Sequence, residues 1–203
     1  YCLQTQAAEL EIEESALLQR MKESLSVMRN AIDFGLTGVR STGGLVGGSG
    51  LRLKNWHEGS DLRKKLLGAL SAKAATYALA ANEANAAMGR ICAAPTAGSS
   101  GVLPGVLFAI AEECSIAEDR LGLALVAAGS IGMVIASRAS LSGAEGGCQA
   151  ECGSAAAMAA GAAVDLLGGS PDQVGHAVAL ALKNLLGLVC DPVAGLVEVP
   201  CVK

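Results

Sequence analysis

From Leu121 to Ser137 the chain carries no charged residue, and Arg120 and Arg138 stand at the two ends of the run. Such a stretch must bury itself, in a bilayer or among other helices. It is at the short limit for spanning a membrane and is padded with Gly, Ala and Ser, so a buried helix in a globular fold is the better reading. Apolar residues on nearly every face predict a central position for it. Aromatics are only 2 % of the chain while Gly contributes 26 residues, so the core must be built from small side chains that let helices approach closely. At 203 residues one domain is expected, residues 1–203.

Helical periodicity recurs along the chain, and no alternating run marks a strand. Leu10, Leu17, Met21, Leu25, Met28 and Ile32 predict an amphipathic helix from about Thr5 to Asp33, with Gly35 as its stop. Ser60 or Asp61 can cap a helix running to about Met88, with Leu66, Leu70, Ala74, Tyr77, Ala81 and Met88 as its stripe. Asn82, Glu83 and Asn85 near its end suit either a solvated face or the support of an adjoining loop. Ser115 to Glu118 reads as a capping box opening the uncharged helix, and Ser170-Pro171-Asp172-Gln173 as another, opening a helix to about Leu186. An Ala-rich helix is expected from Ser154 to Leu167. The fold class is therefore mainly α, a single bundle of about six helices with Gly/Ser/Cys-rich loops carrying function.

A net charge of −4 with no basic block excludes a nucleic-acid footprint. Seven cysteines, an odd number in a chain of this size, fit reduced thiols or metal ligands in the cytoplasm better than a secreted disulfide framework. Glu9, Glu11, Glu13 and Glu14 in the first stretch are unlike a signal peptide.

Ser41-Thr42-Gly43-Gly44-Leu45-Val46-Gly47-Gly48-Ser49-Gly50 is too rich in glycine for a helix or an ordinary strand. It lacks the Gly-Lys-Ser/Thr ending of a P-loop and the flanking βαβ unit of a dinucleotide fingerprint. A flexible linker and a nest of N–H groups for a carboxylate or phosphate are both consistent with it. Arg52 and Lys54 would favour an anion, although a solvated strand end explains them equally. Ala94 to Gly101, with Thr96, Ser99 and Ser100, precedes an apolar run and suits an anion-binding helix N-terminus or plain capping.

Cys148 closes a Gly-rich turn, and Cys190 and Cys201 flank a segment punctuated by Pro192, Gly195 and Pro200. Neither interval has the Cys-x-x-Cys spacing of zinc ribbons or ferredoxins, so spacing alone leaves metal binding and packing as alternatives. Three thiolates without a fourth would leave an open coordination position. His57 sits in the polar stretch Asn55-Trp56-His57-Glu58-Gly59, whereas His176, among Val, Ala and Leu, reads as a core histidine.

Three segments taken together carry a family resemblance: Ala94 to Gly101, Ser142 to Glu151, and Gly187 to Gly195. In composition and order they resemble the α subunit of iron–sulfur-dependent L-serine dehydratase of the two-subunit type. The resemblance implies a [4Fe–4S] cluster held by Cys148, Cys190 and Cys201, no pyridoxal phosphate, and a separate β subunit in a homo- or hetero-oligomer. It implies that Ser41, Thr42, Gly43 and Gly44 in one loop, and Thr96, Ser99, Ser100 and Gly101 in the other, surround L-serine. It further implies that family members continue past Lys203. The reaction would be loss of water from L-serine, giving pyruvate and ammonia, with Lys54, His57 or a group from the β subunit as base. A cysteine desulfidase-like lyase and a non-catalytic helical partner protein are the rival readings.

Overall fold

The computed structural model describes residues 1–59, 68–188 and 202. Within them the fold is all α: α1 (Cys2–Glu9), α2 (Glu14–Gly35), α3 (Ser49–Glu58), α4 (Ala69–Ala86), α5 (Val102–Cys114), α6 (Glu118–Arg138), α7 (Gly143–Cys148), α8 (Ser154–Leu166) and α9 (Pro171–Asn184). A π-helical turn, Gln149–Gly153, joins α7 to α8. The only strand-like pairing among the described residues is an isolated antiparallel bridge between Arg40 and Gly47.

The expected class holds, with more and shorter helices than the periodicity suggested. The first predicted helix is two, because Glu11 adopts a left-handed φ of 53° between α1 and α2. Leu10, at that break, is 55 % exposed, while Leu17, Leu25, Met28 and Ile32 are buried as their spacing required. The segment read as a strand end and a polar loop is instead α3, which starts after Gly48 in the left-handed region. The start expected for the next helix, at Ser60 or Asp61, lies outside the described residues, as does Leu66. Its described portion opens at Ala69, after Gly68.

The stripe expected on α4 is only partly its buried face. Leu70 and Met88 are exposed, and the buried face is Ala72, Thr76, Ala80, Ala81, Glu83 and Ala84. Alanine on every face of a helix leaves no periodic contrast to read, so the glycines of its neighbours decide the orientation. A Cβ on Gly50 of α3 would lie 3.0 Å from Ala80, and one on Gly105 of α5 would lie 2.8 Å from the Ala74 carbonyl. Helix α4 is thus the hub against which α2, α3 and α5 pack.

The capping box expected at Ser115 does not form. Ser115 ends α5 in the left-handed region, and the N-cap of α6 is Ala117, without a side-chain cap. Helix α6 is also less central than expected. Leu121, Ala124, Leu125, Val126 and Ala128 are buried, but Met133 and Val134, a turn further on, are exposed. By length and composition it is the one helix among the described residues that could cross a membrane, and its first half is instead built into the core with α2 and α8. Helices α8 and α9 follow the prediction closely. The Ser170–Gln173 box is complete, Gln173 N–H donating to the Ser170 hydroxyl at 3.3 Å and Ser170 N–H to Gln173 Oε1 at 2.8 Å. Helix α9 lies on the surface, so His176 is exposed rather than in the core.

Candidate active site

The two small-residue loops meet at the C-terminal end of α4. The first folds on itself: Ser41 N–H donates to the Val46 carbonyl at 3.0 Å, Gly44 N–H to the Ser41 carbonyl at 2.9 Å, and Val46 N–H to the Ser41 hydroxyl at 3.2 Å. Thr42 N–H reaches the Ala86 carbonyl at 3.3 Å, so the lobe is moored to the last turn of α4. Ser41 is buried, and Thr42, Gly43 and Gly44 form its exposed rim. The second loop, containing a cis Ala94–Pro95 peptide, is moored to the same turn through Asn85, whose Nδ2 donates to the Ala97 carbonyl at 3.0 Å.

Asn82 and Glu83 complete the attachment. The Glu83 carboxylate, 0 % exposed, accepts from Ser49 N–H at 2.6 Å and Gly50 N–H at 3.2 Å, which are the first amides of α3. Asn82 Oδ1 accepts from Gly101 N–H at 2.8 Å and the Ser100 hydroxyl at 3.4 Å, while its Nδ2 donates to the Gly98 carbonyl at 3.2 Å. Neighbouring residues of one helix therefore serve the N-termini of the two helices that follow the loops. An N-terminal amide pair attracts an anion because its donors are otherwise unsatisfied. At α3 that anion is supplied from within the protein. The expectation of a nest open to an outside carboxylate is thereby narrowed to the rim, residues 42–44, where the amides of Thr42 and Gly44 already donate within the protein.

Ser99 and Ser100 are buried like Ser41, and their hydroxyls are engaged internally, Ser99 with Thr96 at 3.0 Å and Ser100 with Asn82. Thr96 is half-buried and Gly101 buried. Lys54 and His57 lie three apart on α3, on neighbouring positions of one face. Nδ1 of His57 is enclosed and has no hydrogen-bond partner among the described residues. Nothing in the sequence marked Asn82 and Glu83 as more than candidates for loop support. The available signal was two adjacent polar residues in a helix otherwise dominated by alanine.

Cys148 does not sit in an open loop. It ends α7 one residue after Gly147, whose φ of 65° and ψ of −163° kink the chain, and the π-turn runs on from it into α8. Cys148 and Cys152 are both half-buried thiols. Two hydrogen bonds tie this turn to the end of the described chain: Gln149 N–H donates to the Leu188 carbonyl at 3.3 Å, and Gly187 N–H to Gln149 Oε1 at 2.9 Å. Cys190 and Cys201 lie outside the described residues, and no group of three metal-ligating side chains occurs among the described ones. What is described suits a thiolate-held group: a half-buried thiol at a kinked turn, anchored beside the residues that lead into Cys190.

A groove of about 940 Å³ runs between α6 and α9, lined by Leu123, Ile131, Val134, Val174, Val178 and Leu182 among others. No residue of the two loops lines it, and its wall, though largely apolar, also carries Arg120, Arg138 and Asp165.

These features define an all-helical domain in which two Gly/Ser loops are held by one alanine-rich helix, with a cysteine-bearing turn entering another. The family model of the serine dehydratase alpha chain matches residues 1–203, and the chain belongs to that family. It is 52 % identical over 200 residues to a probable L-serine dehydratase, alpha chain, of Bacillus subtilis (strain 168), covering 97 % of this chain and 66 % of the relative. It is 48 % identical over 148 residues to the L-serine dehydratase, alpha chain, of Peptoniphilus asaccharolyticus, covering 73 % of this chain and 51 % of the relative. Against L-serine dehydratase 1 of Escherichia coli (strain K12) the identity is 48 % over 128 residues, 63 % of this chain and 28 % of the relative. The chain thus spans between half and two thirds of the length of the first two relatives.

Proposed function

We propose that the chain is the cluster-binding part of an L-serine ammonia-lyase that converts L-serine to pyruvate and ammonia. The observation that carries this reading is the pairing of the Cys148–Gln149 turn with Gly187 and Leu188, in a chain matched by the family along its whole length. If Cys148 and Cys190 share one centre, the strands of chain leading to them must run side by side, and those hydrogen bonds support that course.

Elimination removes the α-proton and expels the β-hydroxyl with its electron pair, leaving aminoacrylate, which hydrolyses to pyruvate and ammonia. Hydroxide leaves poorly and the α-proton is weakly acidic, so both ends need assistance. A [4Fe–4S] cluster held by Cys148, Cys190 and Cys201 supplies, when bound, Lewis acidity toward the departing oxygen. The chain's own residues orient the substrate. Thr42 through its hydroxyl and Gly43 through its amide meet the carboxylate at the exposed rim, with Thr96 on the second loop, fixing the Cα–H for removal. His57 is the favoured base, since an enclosed ring nitrogen without a partner among the described residues has hydrogen-bonding capacity to spare. Lys54 and a group from a β subunit are the alternatives. The reading calls for no pyridoxal phosphate, and it places the enzyme in a reducing compartment, the cytoplasm, where thiolates survive.

The test is anaerobic purification of the complete subunit with its β partner, followed by parallel assays of pyruvate from L-serine and sulfide from L-cysteine. Pyruvate formation that is lost in air and restored by anaerobic reconstitution is expected. Full activity in a cluster-free sample, or a higher kcat/KM for L-cysteine than for L-serine, would sink the reading.

A further inference from the structure

We infer that Asn82 and Glu83 are positioning residues of the proposed dehydration, fixing the two substrate loops relative to each other from the last turns of α4. The inference rests on the serine reading above and adds to it a pair of residues that need not touch the substrate.

Consecutive residues on an α-helix diverge by about 100° with a rise of about 1.5 Å. Asn82 and Glu83 therefore address different neighbours from nearly the same height. Glu83 turns to α3 and Asn82 to the start of α5. Within five residues, Asn82 to Ala86, hydrogen bonds from α4 reach Thr42, Ser49, Gly50, Ala97, Gly98, Ser100 and Gly101. Both loops are consequently referred to one rigid element. Close backbone approach keeps the lever short, since a Cβ on Gly50 would lie 3.0 Å from Ala80 and one on Gly101 would overlap the Ala78 carbonyl.

The choice of groups argues for more than helix capping. An N-terminus is ordinarily satisfied by a local Ser, Thr, Asp or Asn. Here a carboxylate is brought from another helix and fully buried, with no cation pairing it among the described residues. Burial of a carboxylate is unfavourable unless its hydrogen bonds compensate. What this arrangement supplies, and a local cap would not, is registration of α3, with Lys54 and His57 on it, against the loop at residues 94–101. Misplacement by about 1 Å far from the chemistry can lower a rate about 100-fold.

The test uses Glu83→Gln and Asn82→Asp in the complete, anaerobically loaded enzyme. The first puts an amide donor where an N–H must be accepted, and the second puts a carboxylate oxygen against the Gly98 carbonyl. For each variant kcat/KM for L-serine is expected to fall about ten-fold or more, through kcat as well as KM, with iron and sulfide content and the CD spectrum unchanged. Amide hydrogen exchange of the cluster-free protein is expected to quicken at residues 42–50 in Glu83→Gln and at residues 97–101 in Asn82→Asp, each loop separately. Values of kcat/KM within about two-fold of the unsubstituted enzyme in both variants overturn the inference. So does activity that declines only in step with the folded or cluster-loaded fraction, or failure of both variants to fold. Should one variant not fold, the other decides. If the unsubstituted enzyme makes no pyruvate from L-serine, the serine reading itself fails, and the exchange pattern still judges the loop attachment.

Discussion

Gly35 at the end of α2 lies so close to Ala80 of α4 that a Cβ on the glycine would overlap the Ala80 carbonyl group. The clash is with backbone, which cannot swing aside as a side chain can. Gly35→Ala is therefore expected to lose about 1–3 kcal/mol of stability by overpacking. Gly129, in the middle of α6, has nothing within 4 Å of an added Cβ. Gly129→Ala should gain about 0.5–1 kcal/mol from helix propensity, which for a chain of this size raises Tm by roughly 1–4 °C. Calorimetry on the two variants checks the pair of opposite signs.

Acid should weaken the contact between α2, α4 and α5 through Glu112. Burial pushes its carboxyl up, but hydrogen bonds from Tyr77 and Arg29, the Arg29 charge and Lys73 outweigh burial and hold it below its ordinary value of 4.5. A carboxyl depressed on folding contributes stability that is complete above its unfolded value and disappears as pH falls through the lower folded value. Glu112→Gln is expected to cost about 0.5–1 kcal/mol at pH 7, the group being partly exposed. That difference should shrink toward zero as urea titrations are repeated at pH values below 4.5.

Helix α9 starts from a reciprocal cap. Ser170→Ala removes the acceptor of Gln173 N–H and is expected to cost about 1 kcal/mol. Amide exchange in the first turn of α9 should quicken while α8 stays protected, and hydrogen exchange with mass spectrometry reads both.

Local signals in the sequence were reliable where one residue type does one job. The box at Ser170, the Ala-rich α8 and the Leu17–Ile32 stripe were legible because a side chain or a period specifies each. The break at Glu11 and the start of α6 were not, since left-handed Glu11 and Ser115 carry no glycine to announce them. The face of α4 was hidden for another reason. Alanine packs equally well anywhere, and the partners that choose its buried side are glycines on three other helices. At the site, the loops were legible as small-residue segments, but the role of their hydroxyls was not. Ser41, Ser99 and Ser100 read as groups to grip a substrate, and in the fold they are buried and hydrogen-bonded within the protein. That Glu83 fills the N-terminus of α3 depends on a helix-to-helix approach that no local pattern records.

The most direct test of the account is the iron and acid-labile sulfide content of the complete subunit, purified without oxygen, beside Cys148→Ser, Cys190→Ser and Cys201→Ser. A brown protein holding about four iron and four sulfide per chain is expected, with each serine variant losing the cluster and the L-serine activity together. A Cys148→Ser protein that keeps both, or an iron-free protein that dehydrates L-serine at full rate, would contradict it.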